Sequence, residues 1–172
     1  MLTSKRVNEV SRLKWQHVNF EYKTVAITDT KTGDTDTFPI SSTLLQILEF
    51  QYEQKLEGRD WVFDQGKYSD KGFELNAPLN KLKRVLGGRR QYFTDPTSKK
   101  LATAHGFRTT FRTWAGNIGY DHTAAEKQLT HKLPKIIETY MKSPQLETRR
   151  IMLQHWDDVI TGKARVDEVA RI

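Results

Sequence analysis

Between Gln16 and Ile40 the apolar residues fall in short β-branched or aromatic runs, and from Ser41 onward they recur at helical spacing. That change of period does more than any other feature to limit what the chain can fold into. The runs His17–Glu21, Thr24–Thr28 and Thr35–Ile40 are separated by Glu21-Tyr22-Lys23 and by Thr30-Lys31-Thr32-Gly33-Asp34, both rich in turn formers. They predict a three-stranded antiparallel meander with Lys31 and Gly33 at its second hairpin. Ahead of it, residues 3–14 read as the end of a helix, with Val7, Val10 and Leu13 along one face and Trp15 closing it.

After the meander the signals are helical. Ser41 or Ser42 can cap a helix running to about Glu57, with Leu44, Leu45, Leu48, Tyr52 and Leu56 as its apolar stripe and Gly58 as its stop. Trp61-Val62-Phe63 is long enough only for an edge strand. Asn76 to Leu86 predicts a helix with Pro78 in its first turn and Gly87-Gly88 at its end, followed by a polar loop over Arg89–Lys100. Thr103 can cap a helix from about Ala104 to Asn117 that Gly119 ends, and Asp121 caps the next, to about Leu129. A short helix beginning near Pro134 includes Tyr140, and Ser143-Pro144 opens a longer one that Gly162 stops. Residues 163–172 read as a short amphipathic helix or a disordered tail. The class is therefore α+β, a mostly helical domain with a small three-stranded antiparallel sheet.

Composition narrows the chemistry. The chain has no cysteine, which excludes a disulfide scaffold, thiolate zinc sites and a cysteine nucleophile. No apolar run approaches the roughly 20 residues of a membrane span, and the N-terminus lacks the apolar core of a signal peptide, so the expected location is the cytoplasm and no membrane partner is expected. His17, His122 and His155 have no neighbours at metal-ligand spacing and read as structural or surface residues, and no metal or other cofactor is expected.

The net charge is +7, from 28 Lys and Arg against 21 Asp and Glu, and it is unevenly placed. From Leu79 to Arg112 there are nine basic residues (Lys81, Lys83, Arg84, Arg89, Arg90, Lys99, Lys100, Arg108, Arg112) and one acid, Asp95, so this segment carries +8 and the remainder −1. With Tyr92 and Phe93 interleaved, the pattern points to a phosphate backbone as partner. Arg112, one helical turn after Arg108, reads as a DNA-backbone contact or a salt-bridge partner.

His105 and Arg108 share one face at the start of a predicted helix, where backbone N–H groups also favour anions. Such a pair is common by chance. It gains weight from Arg6 in Thr3-Ser4-Lys5-Arg6-Val7-Asn8-Glu9, from Lys31 in the second hairpin, and from His131 in Leu129-Thr130-His131, nine residues before Tyr140. In order and spacing, Arg6, Lys31, His105-x-x-Arg108, His131 and Tyr140 resemble the catalytic domain of tyrosine recombinases, the phage-integrase family. The resemblance covers Leu2 to about Gly162. Where family members typically read Thr-Gly-x-Arg-x-x-Glu and Leu-Gly-His, this chain has Ser4 and Thr130 in place of the glycines, departures that predict altered local backbone. The stretch from Leu146 to Gly162, with Arg149-Arg150 and Gln154-His155-Trp156, looks most like prophage and genomic-island integrases.

The resemblance implies site-specific DNA recombination, the integration and excision of a phage or genomic island. Tyr140 would attack the scissile phosphate to form a 3′-phosphotyrosyl link, which conserves the bond energy for rejoining. Arg6 and Arg108 can clamp the non-bridging oxygens. Lys31 would protonate the leaving 5′ oxygen, His105 would accept the tyrosine proton or bond the phosphate, and His131 would donate to a non-bridging oxygen. Glu9, one turn from Arg6, would orient that guanidinium. The rival readings are type IB topoisomerase-like relaxation and a non-catalytic DNA-binding prophage remnant.

The resemblance also implies an organisation. Residues 1–162 would be the catalytic domain, without the N-terminal core-binding domain of family members, and 163–172 a tail exchanged between protomers. The expected partners are double-stranded DNA and further copies of the chain, four on DNA, monomeric or weakly associated when free. The setting would be the nucleoid of a bacterial host.

Overall fold

The computed structural model describes residues 1–28, 33, 35–63, 94, 102–140 and 143–168. Lys31 lies outside them, as do the helix expected over Asn76–Leu86 and the basic residues Lys81, Lys83, Arg84, Arg89, Arg90, Lys99 and Lys100.

The meander forms as the period-two runs require. Strands β1 (Val18–Asn19), β2 (Thr24–Ile27) and β3 (Asp36–Pro39) pair antiparallel in the order β1-β2-β3, with Val25 opposite Phe38 and Ile27 opposite Asp36. Val25, Ile27 and Phe38 are buried, and this face meets the helices. The segment before the sheet departs from expectation. Helix α1 spans only Val7–Ser11, and Trp15–His17 forms a single 3₁₀ turn. Thr3, Ser4 and Lys5 lie in non-helical backbone and are buried, because polar partners from distant elements surround them.

Helix α2 covers Ser42–Glu53, one turn shorter than the apolar stripe predicts. Leu44 and Leu48 are core, while Leu56 lies beyond the helix end and is exposed. Tyr52 is also exposed, its ring edge-on to Trp15 at 5.0 Å and to Phe20 at 5.6 Å. Ser41 occupies the N-cap position, yet its hydroxyl makes no cap bond. The first two N–H groups, of Ser42 and Thr43, donate instead to Gln154 Oε1 and Asp157 Oδ2, each at 2.8 Å. The expected edge strand at Trp61 is reduced to one bridge with Lys14.

Downstream, local capping chemistry matches the observed boundaries. Helix α3 (Ala104–Ile118) starts with Thr103 Oγ1 accepting from the Gly106 N–H at 2.9 Å and ends at Gly119, whose φ of +89° is the left-handed conformation glycine adopts freely. Helix α4 (His122–Gln128) is capped by Asp121 through the Ala124 N–H. Helix α5 (Lys135–Tyr140) is short, and α6 (Leu146–Ile160) is the central strut. On α6 the buried residues Arg149, Met152, Leu153 and Trp156 recur at i, i+3, i+4 and i+7, so one stripe faces β3, α4 and α2. Phe111, Trp114 and Trp156 join the core as an aromatic cluster, with Phe111 fully buried. A side chain of that size buried this way contributes about 1.5–3 kcal/mol. His155 is structural, its Nδ1 3.0 Å from the hydroxyl of Tyr120. Residues 163–168 form turns in place of a helix, the Lys163 and Ala164 N–H groups bonding back to Asp158 O.

Candidate active site

Arg108 lies on the buried stripe of α3, three residues before Phe111 and seven before Ala115, so helical periodicity carries a guanidinium into the protein. There it is held by backbone carbonyls: Nη1 donates to Ser4 O at 2.7 Å and Nη2 to Leu129 O at 2.6 Å. Burial, and then the nearby Arg6, lower its pKa from the usual arginine value, but a guanidinium keeps its charge in any protein setting. Its Nε has no partner among the described residues.

Arg6 stands at the N-terminal edge of α1. Its Nη1 donates to Glu9 Oε1 at 2.8 Å and lies 3.5 Å from Thr130 O, while its N–H donates to Glu9 Oε2 at 2.9 Å. One buried carboxylate thus bonds both the backbone and the side chain of Arg6.

His131 completes the cluster, with Nε2 3.2 Å from Arg108 Nη2 and Nδ1 2.7 Å from Glu126 Oε2. Arginine can only donate, so Nε2 presents its lone pair to Arg108 and Nδ1 carries the proton given to Glu126. Glu126 also accepts from Arg112 Nε, which commits Arg112 to an ion pair. These bonds from Arg112 and His131 outweigh burial and hold the Glu126 carboxyl below its ordinary pKa. Sequence reading missed Glu126, although its place five residues before His131, on the preceding helix, was the available signal.

The structure therefore brings together Arg6, Glu9, Arg108 and His131. His105 sits on the first turn of α3 but is exposed where Arg108 is buried. Tyr140 is the last residue of α5; its phenol lies outside what the structure describes. Lys31 also falls outside, although the strands flanking its hairpin are in place.

The two positions where glycine was expected are informative. Ser4 and Thr130 have φ of +51° and +54°, the left-handed region that suits glycine. The larger residues hold this conformation at a cost on the order of 1–2 kcal/mol each. Both sit where a carbonyl must face an arginine, Ser4 O toward Arg108 and Thr130 O toward Arg6.

Behind the arginines lies a second polar cluster that sequence reading did not find. Lys5, with no exposed side-chain surface, donates to Asp36 Oδ2 and, at 3.0 Å, to Thr130 Oγ1. Arg149 reaches both oxygens of Asp36 at 3.3 Å, Gln128 Oε1 at 2.9 Å and Pro144 O at 3.2 Å. Gln128 in turn donates to Thr3 O at 2.8 Å. Burial, opposed by Asp36, lowers the pKa of Lys5 from 10.5 to about 7.

The arrangement of helices around a small sheet is that of the integrase and recombinase catalytic fold. The structure superposes on an integrase from mycobacterium phage Brujita with a TM-score of 0.62 at 15% identity, covering 99% of this chain and 50% of that one. On the XerA recombinase the TM-score is 0.57 at 17% identity, over 95% of this chain and 55% of that one. The sequence model of the phage integrase family matches residues 1–146, and the chain belongs to that family. Among its relatives, the prophage integrase IntZ of Escherichia coli is 28% identical over 163 residues, 93% of this chain, and the integrase of Shigella phage Sf6 is 25% identical over 166 residues, 95% of this chain. The chain spans 37% and 40% of the lengths of these two relatives.

Proposed function

We propose that the chain is the catalytic domain of a tyrosine-type site-specific recombinase that integrates and excises a phage or genomic island. The observation that carries this reading is the convergence of Arg6, Arg108 and His131, which come from separate elements, with the Arg6 guanidinium held by Glu9 and that of Arg108 by two backbone carbonyls. A pair of charged forks anchored in this way suits the non-bridging oxygens of a phosphodiester passing through a pentavalent state. Tyr140 attacks the phosphorus through its phenolic oxygen and passes its proton to His105. The bond to the 5′ oxygen breaks, and Lys31 protonates that oxygen as it leaves. The products are a 3′-phosphotyrosyl link and a free 5′ hydroxyl. A second proton on His131 Nε2 makes it a donor to the phosphate, with Glu126 balancing the charge behind it.

DNA is the substrate; a transposon integrase of similar fold has a solved structure in complex with circular intermediate DNA. Lys81, Lys83, Arg84, Arg89, Arg90, Lys99 and Lys100 supply backbone contacts, and Arg112 acts through Glu126. Residues 1–162 are the catalytic unit, and the segment after 162 is exchanged between protomers. Four copies assemble on two duplexes in the cytoplasm of a bacterial host, on its nucleoid, and free copies are monomeric or weakly associated.

The test is covalent capture on a pool of nicked duplexes randomised across the central positions, followed by sequencing of the trapped DNA. The wild type is expected to yield protein–DNA adducts enriched for one sequence, and Tyr140→Phe none. Adducts without sequence preference would favour topoisomerase-like relaxation, and no adduct with any duplex would favour a non-catalytic DNA-binding module.

A further inference from the structure

The two loops that hold the arginines in place are joined by a cluster the reaction itself does not use. Residues 3–6 provide Arg6 and the carbonyl that accepts from Arg108. Residues 128–131 provide His131 and the carbonyls of Leu129 and Thr130. One nitrogen bridges them from behind, Lys5 Nζ, which is buried, lies 5.1 Å from the Phe38 ring centre and bonds both Thr130 Oγ1 and Asp36. The charged groups around it are Asp36 from β3, Arg149 from α6 and Glu9 from α1. Arg149 braces the far side of Asp36, and Gln128 ties Thr3 to the same assembly.

We propose that Lys5 is a positioning residue for strand cleavage: together with Thr130 and Asp36 it locks the Arg6 loop against the His131 loop and so sets the spacing of the two guanidiniums. The inference rests on the assignment of Arg6 and Arg108 as the phosphate clamp. Two features argue for it over a plain stability role. The hydroxyl that accepts from Lys5 belongs to a β-branched residue in left-handed backbone, a conformation that glycine would adopt at less cost. Moreover, Thr130 itself offers its carbonyl to Arg6, so one residue is fixed by Lys5 on its side chain and faces the site with its backbone.

The experiment is a two-residue cycle with Lys5→Met and Thr130→Val, which remove the ammonium and the hydroxyl while keeping side-chain bulk. Asp36 retains Arg149 in both, so the chain is expected to stay folded. At saturating nicked-duplex pool each single variant should capture DNA about tenfold to a hundredfold more slowly, a cost typical of a small misplacement of catalytic groups. The double variant should lose no more than Lys5→Met alone, and retention of DNA on a filter should be unchanged throughout. Amide hydrogen exchange at residues 4–6 and 129–131 should quicken in parallel. Additive losses, an unchanged rate, or a loss of DNA retention that matches the loss of rate would each overturn the proposal. If Lys5→Met does not fold, Thr130→Val decides it by rate and exchange. Should the wild type fail to capture DNA, the proposed function falls, and the exchange measurement still decides whether Lys5 locks the two loops.

Discussion

Lys5 is charged at neutral pH in an unfolded chain and only partly so in the fold, where burial lowers its pKa from 10.5 to about 7. Between those values the unfolded state binds the extra proton, so stability rises with pH across that window and falls as pH drops toward 7. Lys5→Met removes this dependence. Urea denaturation of both proteins from pH 7 upward should show the wild type gaining stability relative to the variant as pH approaches 10.5, and parallel curves would refute the assignment. At this scale the sequence was a partial guide. Arg6, Arg108 and His131 were legible because each lies in a short motif of fixed spacing. Lys5, Asp36 and Arg149 were not, because each looks like an ordinary surface charge until the fold brings them together, and neither neighbour in the sequence nor helical period records that meeting.

Among the elements, α3 and α4 were legible to within a residue or two since their caps are local: Thr103 bonds Gly106, Asp121 bonds Ala124, and Gly119 takes a backbone that other residues avoid. The start of helix α2 at Ser41 was legible too, but its end was placed one turn too far. The acceptors of its first N–H groups, which come from α6 more than a hundred residues downstream, were not legible. Asp157 is fully buried and accepts the part-buried Thr43 N–H, so Asp157→Ala leaves a helix donor without its acceptor. A loss of about 1–2 kcal/mol is expected from the cap alone. Chemical denaturation checks it, and the control Asp158→Ala, next along the helix and less buried, should cost less.

For the molecule as a whole, the charge excess is the property that sets DNA affinity under the proposed function. A protein contacting six to ten phosphates loses roughly a thousandfold or more in affinity between 50 and 200 mM salt. Titration of fluorescent duplex should show a steep linear fall of log affinity with log salt, and Arg89→Glu with Arg90→Glu should flatten it by an amount independent of DNA sequence. A salt-insensitive affinity would remove the basic segment from the interface.

The separation of Lys5 from Thr130 by 125 positions, and of Asp36 from Arg149 by 113, also says something about when the site comes into being. Arg6 is synthesised well before Thr130 and Arg149, so the loop of Arg6 has nothing to lock onto until they emerge. A product that stops between Tyr140 and Arg149 holds the proposed nucleophile and the basic segment but lacks the brace. Under the proposed chemistry, cutting is reserved to a chain that has been made through α6, and a product interrupted before it is harmless to its host's DNA.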